Sequence, residues 1–398
     1  MRQATGDPLA GSPAHATWGS AGGQPAGDKK NLETRLKTTS LLVGGCAFAL
    51  SCPAFAQSSV TLYGSIDVGV DFVSNSRGSH LYQQSAGKRT PDRFGFLIKE
   101  DIGGGNVVFA RLESGFLTNT GAQINPASFF NRDAYVGISN DRFGSLSLGH
   151  IPDYVYEYVG GLNNSVPGIS SFYTVGNFDG LANTRALDNS VKYETIDYRG
   201  FQAGVMNSFG NQTNFADARQ YSIGARYQNG IVKFGAAYTM SHDRTADLFG
   251  TFGVTSVLGQ ALKQGTLFNA DHYSTIAVGG SVVVGVFVPH ATFTDVKLEN
   301  DEGSVTVRNY QAGVNIDLSG GKRFYVLGIS YNRSMFEGLT YNQYNLFLTH
   351  YLSKSTQVYG GVGLQRASGV GAKAQQFGYQ TSSSSAQTVG RIGINHMF

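Results

Sequence analysis

Residues 60–72 read Val60-Thr61-Leu62-Tyr63-Gly64-Ser65-Ile66-Asp67-Val68-Gly69-Val70-Asp71-Phe72. Val60, Leu62, Ile66, Val68, Val70 and Phe72 fall on one side of an extended chain, and Thr61, Tyr63, Ser65, Asp67 and Asp71 on the other. Alternation at period two, with one apolar and one wet face, marks a β-strand that meets two different solvents. The run is longer than the ~5–6 residues usual in a globular strand. The pattern returns in Val108/Ala110/Leu112 against Arg111/Glu113, in Ala134/Val136/Ile138 against Asp133/Tyr135, and in Ile392/Ile394 against Arg391/Asn395. Bounded by turn residues, such segments number roughly sixteen along the chain.

The connections discriminate further. Tight turns are expected at Gly103-Gly104-Gly105, Asp141-Arg142-Phe143, Asp197-Tyr198-Arg199, Asn229-Gly230, Gly285, Ser319-Gly320-Gly321 and Lys354. They alternate with long links at 74–89, 118–128, 151–186, 209–218, 242–270, 298–304 and 368–384, and a shorter one near 337–339. Short turns on one rim and long loops on the other is the arrangement of an all-β transmembrane antiparallel barrel, with turns in the periplasm and loops outside. Beyond the N-terminal segment no apolar run reaches the ~18 residues of a spanning helix. A closed sheet satisfies every backbone polar group in lipid without one. About sixteen strands enclose an aqueous channel rather than a packed interior. Tyr341, Tyr344, Phe347 and Tyr351 are expected in the aromatic girdles of such a wall.

Composition agrees. Of 398 residues 14% are charged, against about 25% in a typical soluble protein. Glycine reaches 53 and aromatics 12%, nearly all Tyr and Phe. Such aromatic content excludes a disordered chain, and the scarcity of charge excludes a helical bundle. A net charge of +3 without a basic cluster excludes a nucleic-acid binder.

Lys29, Lys30, Arg35 and Lys37 precede the apolar run Leu41–Leu50, and Ala54 and Ala56 stand at the −3 and −1 positions before Gln57. This is the layout of a secretory signal peptide over 35–56. Residues 1–34 read as an upstream extension without structure, and 57–398 as the barrel. Cys46 and Cys52 both fall in the part removed. The mature chain then has no disulfide, thiolate metal site or cysteine nucleophile.

Several stretches resemble the general porins of Gram-negative bacteria, in particular the trimeric sixteen-stranded type of β-proteobacteria. They are Ser59-Val60-Thr61-Leu62-Tyr63-Gly64, Arg93-Phe94-Gly95, Glu100-Asp101-Ile102-Gly103-Gly104-Gly105, Leu112-Glu113-Ser114-Gly115-Phe116, Asn131-Arg132-Asp133-Ala134-Tyr135-Val136-Gly137, Asp188-Asn189-Ser190-Val191-Lys192-Tyr193 and the closing Phe398. The resemblance implies a homotrimer in outer-membrane lipid, without cofactor or metal, through which small ions and hydrophilic solutes diffuse. It implies that Phe398 is read by the barrel-assembly machinery, and that the third loop, 151–186, folds into the lumen. That loop carries Asp153, Glu157 and Asp179. Arg93, Arg132 and Arg185 match the family's basic wall opposite, and alternation adds Arg111 as an inward-facing candidate. Glu113 projects inward beside Arg111 and is expected to cancel part of its charge, while counting with the acids of the constriction. A basic wall facing an acidic loop biases a pore mildly toward anions.

Two positions depart from the family pattern. A basic residue common in relatives is replaced by Leu97, with Lys99 two positions on, and a common arginine by His150, which the family pattern counts with the basic wall of the constriction. The second change weakens the expected anion preference and introduces a side chain that titrates between pH 5 and 8.

Two other functions are compatible with the same barrel: a channel specific for one substrate, and a surface protein whose loops at 242–270 and 368–384 act as an adhesin. Catalysis is not expected. The chain holds no Gly-x-Ser-x-Gly or His-Glu-x-x-His motif. His242, His272, His290 and His350 are scattered over separate strands and loops, whereas a nucleophile and its base must lie within ~3 Å.

Overall fold

The computed structural model describes residues 58–398 except 167 and 183–185. The expected signal peptide, with Ala54, Ala56 and Gln57, lies outside the described residues, as does Arg185. Ten strands come first: β1 Ser58–Ser76, β2 Ser79–Ala86, β3 Arg93–Gly103, β4 Asn106–Gly115, β5 Asp133–Asn140, β6 Gly144–Pro152, β7 Ala186–Glu194, β8 Phe201–Ser208, β9 Gln220–Gln228 and β10 Val232–Ala246. A short helix, α1 Leu248–Phe252, and a small hairpin of β11 Ser256–Val257 and β12 Gln260–Ala261 interrupt the series. It resumes with β13 Phe268–Val282, β14 Phe287–Asn300, β15 Gly303–Asp317, β16 Tyr325–Phe336, β17 Leu339–Tyr351, β18 Thr356–Ser368 and β19 Ala386–Met397.

Sequential strands pair antiparallel, and β19 returns to β1 with Asp67 opposite Asn395 and Val73 opposite Val389. The sheet therefore has no free ends, as lipid demands. Seventeen segments make sixteen staves, because β2 and β3 share one. β2 pairs with one half of β1 (Val68 opposite Ala86) and β3 with the other (Ser65 opposite Arg93). Residues 87–92 leave the wall between them. The last residue completes the seam: Gly64 N donates to Phe398 O at 2.9 Å and Phe398 N to Gly64 O at 3.1 Å.

Side-chain parity follows the sequence. On β1 Val60, Leu62 and Val70 are exposed outward, while Ser65, Asp67 and Asp71 are fully buried inside. In water so many exposed aliphatic side chains would be unfavourable by about 25 cal/mol per Å²; against acyl chains they carry no such penalty. Parity also corrects the girdle assignment. Tyr344 faces outward, but Tyr341 and Phe347 are buried inside the barrel. Residues three apart cannot share a face of a strand.

The strands extend further into some expected loops. Residues 74–89 form a two-residue turn, Arg77-Gly78, flanked by β1 and β2; 298–304 shrinks to Asp301-Glu302 and 337–339 to Glu337-Gly338. On the other rim, 195–200 and 318–324 are longer than tight turns. The sorting of short and long links thus holds for most connections, the short one near 337–339 included, and fails at 74–89, 298–304, 195–200 and 318–324. The long links that remain are not all draped outside. Phe252 of α1 stacks on Phe336 at 4.3 Å and on Phe178 at 5.3 Å. Leu248, Val257, Leu262, Val296, Val307 and Ala374 join the same buried apolar cluster within the loop-side mouth.

Candidate functional site

The longest connection, between β6 and β7, lies inside the barrel along its inner wall. It begins with Asp153 and a π-helical turn, Val155–Val159. Glycines in the wall make room for it: a β-carbon at Gly204 would come within 2.0 Å of the Tyr154 hydroxyl, and one at Gly224 within 2.8 Å of both Tyr154 and Tyr158. Tyr154 N donates to Ser222 Oγ at 3.1 Å on β9. Further along, Asn164 N donates to Gln311 Oε1 at 3.0 Å on β15, and its side-chain amide to the Tyr331 carbonyl at 3.0 Å on β16. Gln343 on β17 donates to the Ser171 carbonyl at 2.6 Å. On the return, Tyr273 on β13 donates to the Phe178 carbonyl. The loop thus covers the inner face from β9 to β17, and the inner faces of β3–β9 keep partly exposed charged side chains.

On that side of the barrel Glu113 is the centre of a charge cluster. Its carboxylate lies 2.6 Å from Arg132 Nε, 2.8 Å from Arg111 Nη2 and 3.5 Å from Arg93 Nε, and it accepts from the Tyr63 hydroxyl at 2.7 Å. Arg111 Nε also meets Asp133 Oδ2 at 2.9 Å. Arg93, Arg132, Glu113 and Asp133 are buried, whereas the Arg111 side chain is 26% exposed. Three of the expected basic residues are therefore together. Glu113, counted with the acids, stands among the arginines because positions 111 and 113 of one strand share a face.

The loop acids divide. Asp153 is buried and accepts from Tyr156 N at 2.9 Å and the Thr239 hydroxyl at 2.7 Å. Asp179 is fully buried and accepts from the hydroxyls of Thr174 and Thr294, each at 3.0 Å, and from Asn309 Nδ2 at 3.2 Å. Both fasten the loop to the wall instead of facing the lumen, since a buried carboxylate needs donors on every side. Glu157 alone of the three is exposed, and it pairs with Lys192 Nζ at 2.6 Å. Next to it Tyr156 is packed toward the arginines: burial raises its hydroxyl pKa above the ordinary value, and Arg132 and Arg93 oppose the rise.

His150 does not belong to this site. It pairs with Ala134, as Leu148 pairs with the exposed Val136, so positions 148 and 150 both point to the outer face. Its Nδ1 lies 2.5 Å from Asp188 Oδ1, a carboxylate that is 75% exposed. Inward-facing residues that the sequence reading passed over complete the arc instead. Lys192 and Glu194 on β7 and Arg226 on β9 share the face of the lumen; Arg226 lies 3.5 Å from Glu194 and donates to Gln202 at 3.0 Å. The signal was present in Lys192-Tyr193-Glu194, whose middle residue is exposed outward. Of the histidines treated as scattered, His242 and His272 are cross-strand neighbours with ring centroids 4.7 Å apart. Among the described residues no three His, Asp or Glu side chains are gathered to hold a metal ion.

A sixteen-stave barrel with apolar exterior, charged inner arc and an inward-folded third loop defines a membrane pore of the outer-membrane class. The sequence profile of the Gram-negative porin family matches residues 38–370, and the chain belongs to that family. It is 26% identical to outer membrane porin protein 32 of Delftia acidovorans, over 90% of this chain and 99% of that protein. It is 31% identical to an outer membrane porin protein of Bordetella pertussis, over 50% of this chain and 58% of that one. The alignment with the Bordetella relative thus spans little more than half its length. Among solved structures, an anion-selective porin from Comamonas acidovorans superposes with a TM-score of 0.67 at 22% identity, covering 86% of this chain and all of that one. The trimer form of OmpT, an outer membrane protein of Vibrio cholerae, gives 0.61 at 15% identity, covering 86% and 99%.

Proposed function

We propose that the protein is a general diffusion porin of the outer membrane, a passive homotrimeric pore for ions and small hydrophilic solutes. The observation that supports it best is the inner arc of β3–β9, where Arg111, Glu157, Glu194 and Arg226 keep partial exposure while the loop covers the opposite wall. Within the arc, Arg93, Arg111, Arg132, Lys192 and Arg226 outnumber Glu113, Asp133, Glu157 and Glu194 by one. Near balance at close range favours a weak preference for anions over strong selection. The likeness to an anion-selective porin points the same way. Diffusion needs no enzyme chemistry, and the assigned residues act only by charge and by the space they leave.

Recording from the refolded protein in a planar bilayer across a KCl gradient tests this. Current steps in threes and a conductance linear in salt are expected, with a reversal potential of mild anion preference. Arg111→Ala moves that potential toward cations; an unmoved potential removes Arg111 from the ion path. Saturation by one solute class would replace general diffusion with a specific channel. Phe398 serves the proposed assembly step: its backbone closes the seam at Gly64 and its side chain is half exposed on the outer face. Deleting Phe398 lowers the yield of folded trimer in the outer membrane, and an undiminished yield would refute that role.

A further inference from the structure

Between β2 and β3 the chain leaves the wall at Gly87 and re-enters it at Arg93. This excursion is anchored by one carboxylate. Asp67 Oδ2 accepts from Arg89 N at 2.6 Å and Thr90 N at 3.1 Å, and Gly87 N donates to the Asp67 carbonyl at 2.9 Å. Asp92 Oδ1 in turn accepts from Asp67 N at 2.6 Å. Held so, the segment meets the far end of the inward loop. Arg89 Nη1 donates to the Gly168 carbonyl at 2.8 Å and the Val166 carbonyl at 3.2 Å, while Nη2 donates to Gln357 Oε1 at 3.2 Å on β18. The Lys88 carbonyl accepts from Ser170 N at 2.7 Å. Lys88 and Arg89 are both buried.

The rest of the loop is bonded to the wall it lies along, but its tip is bonded to a second segment that comes in from the wall. Charge-assisted bonds to carbonyls are about twice as strong as neutral ones. A loop tip with few such partners opens locally at little cost. We propose that residues 87–92 are a clamp on the tip of the inward loop, and that Arg89 is the positioning residue which holds the aperture at one width. The proposal deepens the diffusion-pore reading and rests on it for its electrical readout. Fixing the tip fixes how far the loop stands from the charged arc, so the clamp governs size exclusion without touching a solute.

The test uses Arg89→Ala in the full chain, recorded in planar bilayers beside the wild type. Open-channel current noise rises severalfold and the mean conductance changes, while the folded trimer is recovered in the same yield. A second pair of substitutions, Lys88→Cys with Ser170→Cys, is made in a chain with Cys46→Ser and Cys52→Ser. The direct backbone hydrogen bond between positions 88 and 170 brings these residues into the range for a disulfide. Oxidation of this pair in the Arg89→Ala background returns the quiet level, and reduction releases it, which a merely structural role of Arg89 would not do. Unchanged noise and conductance in Arg89→Ala, or noise that the cross-link leaves in place, overturns the clamp. If Arg89→Ala yields no folded trimer, Gln357→Ala is read in the same way. A wild-type protein that passes no current would refute the pore instead. The clamp is then read from the rate of cross-link formation, several times faster with Arg89 present than with Arg89→Ala; equal rates overturn it.

Discussion

Glu113→Gln raises anion preference and weakens the barrel at once. The carboxylate lies against Arg93, Arg111 and Arg132, two of which are buried. Without it three guanidinium groups remain beside one another, with Asp133 bonded to Arg111. Breaking a buried ion cluster by removing one partner costs about 3–5 kcal/mol. Unfolding in urea, followed by heat-modifiable mobility on a gel, should show a clear loss. The electrical effect is smaller. An ion passing about 8 Å from the altered charge in a water-like medium feels about 0.5 kcal/mol, a factor of about two in relative permeability. The reversal potential should therefore move toward anions by that factor. A variant with native stability and unchanged potential would mean that the cluster is neither buried nor near the ion path.

The second large effect belongs to Arg391. Its side chain is fully buried on the inner face of β19, with Nη1 2.6 Å from Asp71 Oδ1, Nη2 3.0 Å from Asp67 Oδ1 and Nε donating to the Tyr359 hydroxyl at 2.8 Å. Asp71 also accepts from Ser85 of β2. The network therefore spans the seam where the last strand meets the first. Arg391→Ala leaves Asp67 and Asp71 buried without their shared cation, at a cost of about 3–5 kcal/mol. The expected result is a sharp fall in the temperature at which the folded band converts to the unfolded one. Arg391→Lys recovers only part, since an ammonium group is a point charge and cannot supply the planar fork. An unchanged transition in Arg391→Ala would show that seam stability resides in the backbone ladder alone.

Strand structure was legible because a wall between lipid and water imposes one rule on every residue. Val60–Phe72 obeys it, and so do Arg111 with Glu113 and Lys192 with Glu194. Where the rule is set aside, the reading fails: residue type groups Tyr341 with Tyr344 although their spacing is odd, and the family pattern puts His150 inside although Leu148 two positions earlier faces out. Loops have no such period. Nothing in the sequence of 151–186 distinguishes Glu157, which meets Lys192 in the lumen, from Asp179, which is enclosed by Thr174, Thr294 and Asn309. Those partners come from the loop itself and from two later strands, so only the folded chain defines them. The excursion at 87–92 was hidden for a similar reason. Lys88 and Arg89 look like solvated charges until the carbonyls of Gly378, Val166 and Gly168 and the side chain of Gln357 are in place.

The inward loop also constrains the order in which the molecule can be built. It leaves the wall after the sixth strand segment, yet its middle is bonded to Gln343, Asn332 and Gln311, more than a hundred residues later in the chain. Hairpins can form one after another from neighbouring sequence, but this loop has no seat until the late strands exist. Its docking is a non-local event whose chain entropy has to be lost before any contact offsets it. Water must then leave an interior already enclosed by the wall, where no lipid can take its place. The outside of the barrel is made by the membrane; the inside is finished as a small soluble protein would be, by burying Phe178, Phe252 and Phe336 against one another.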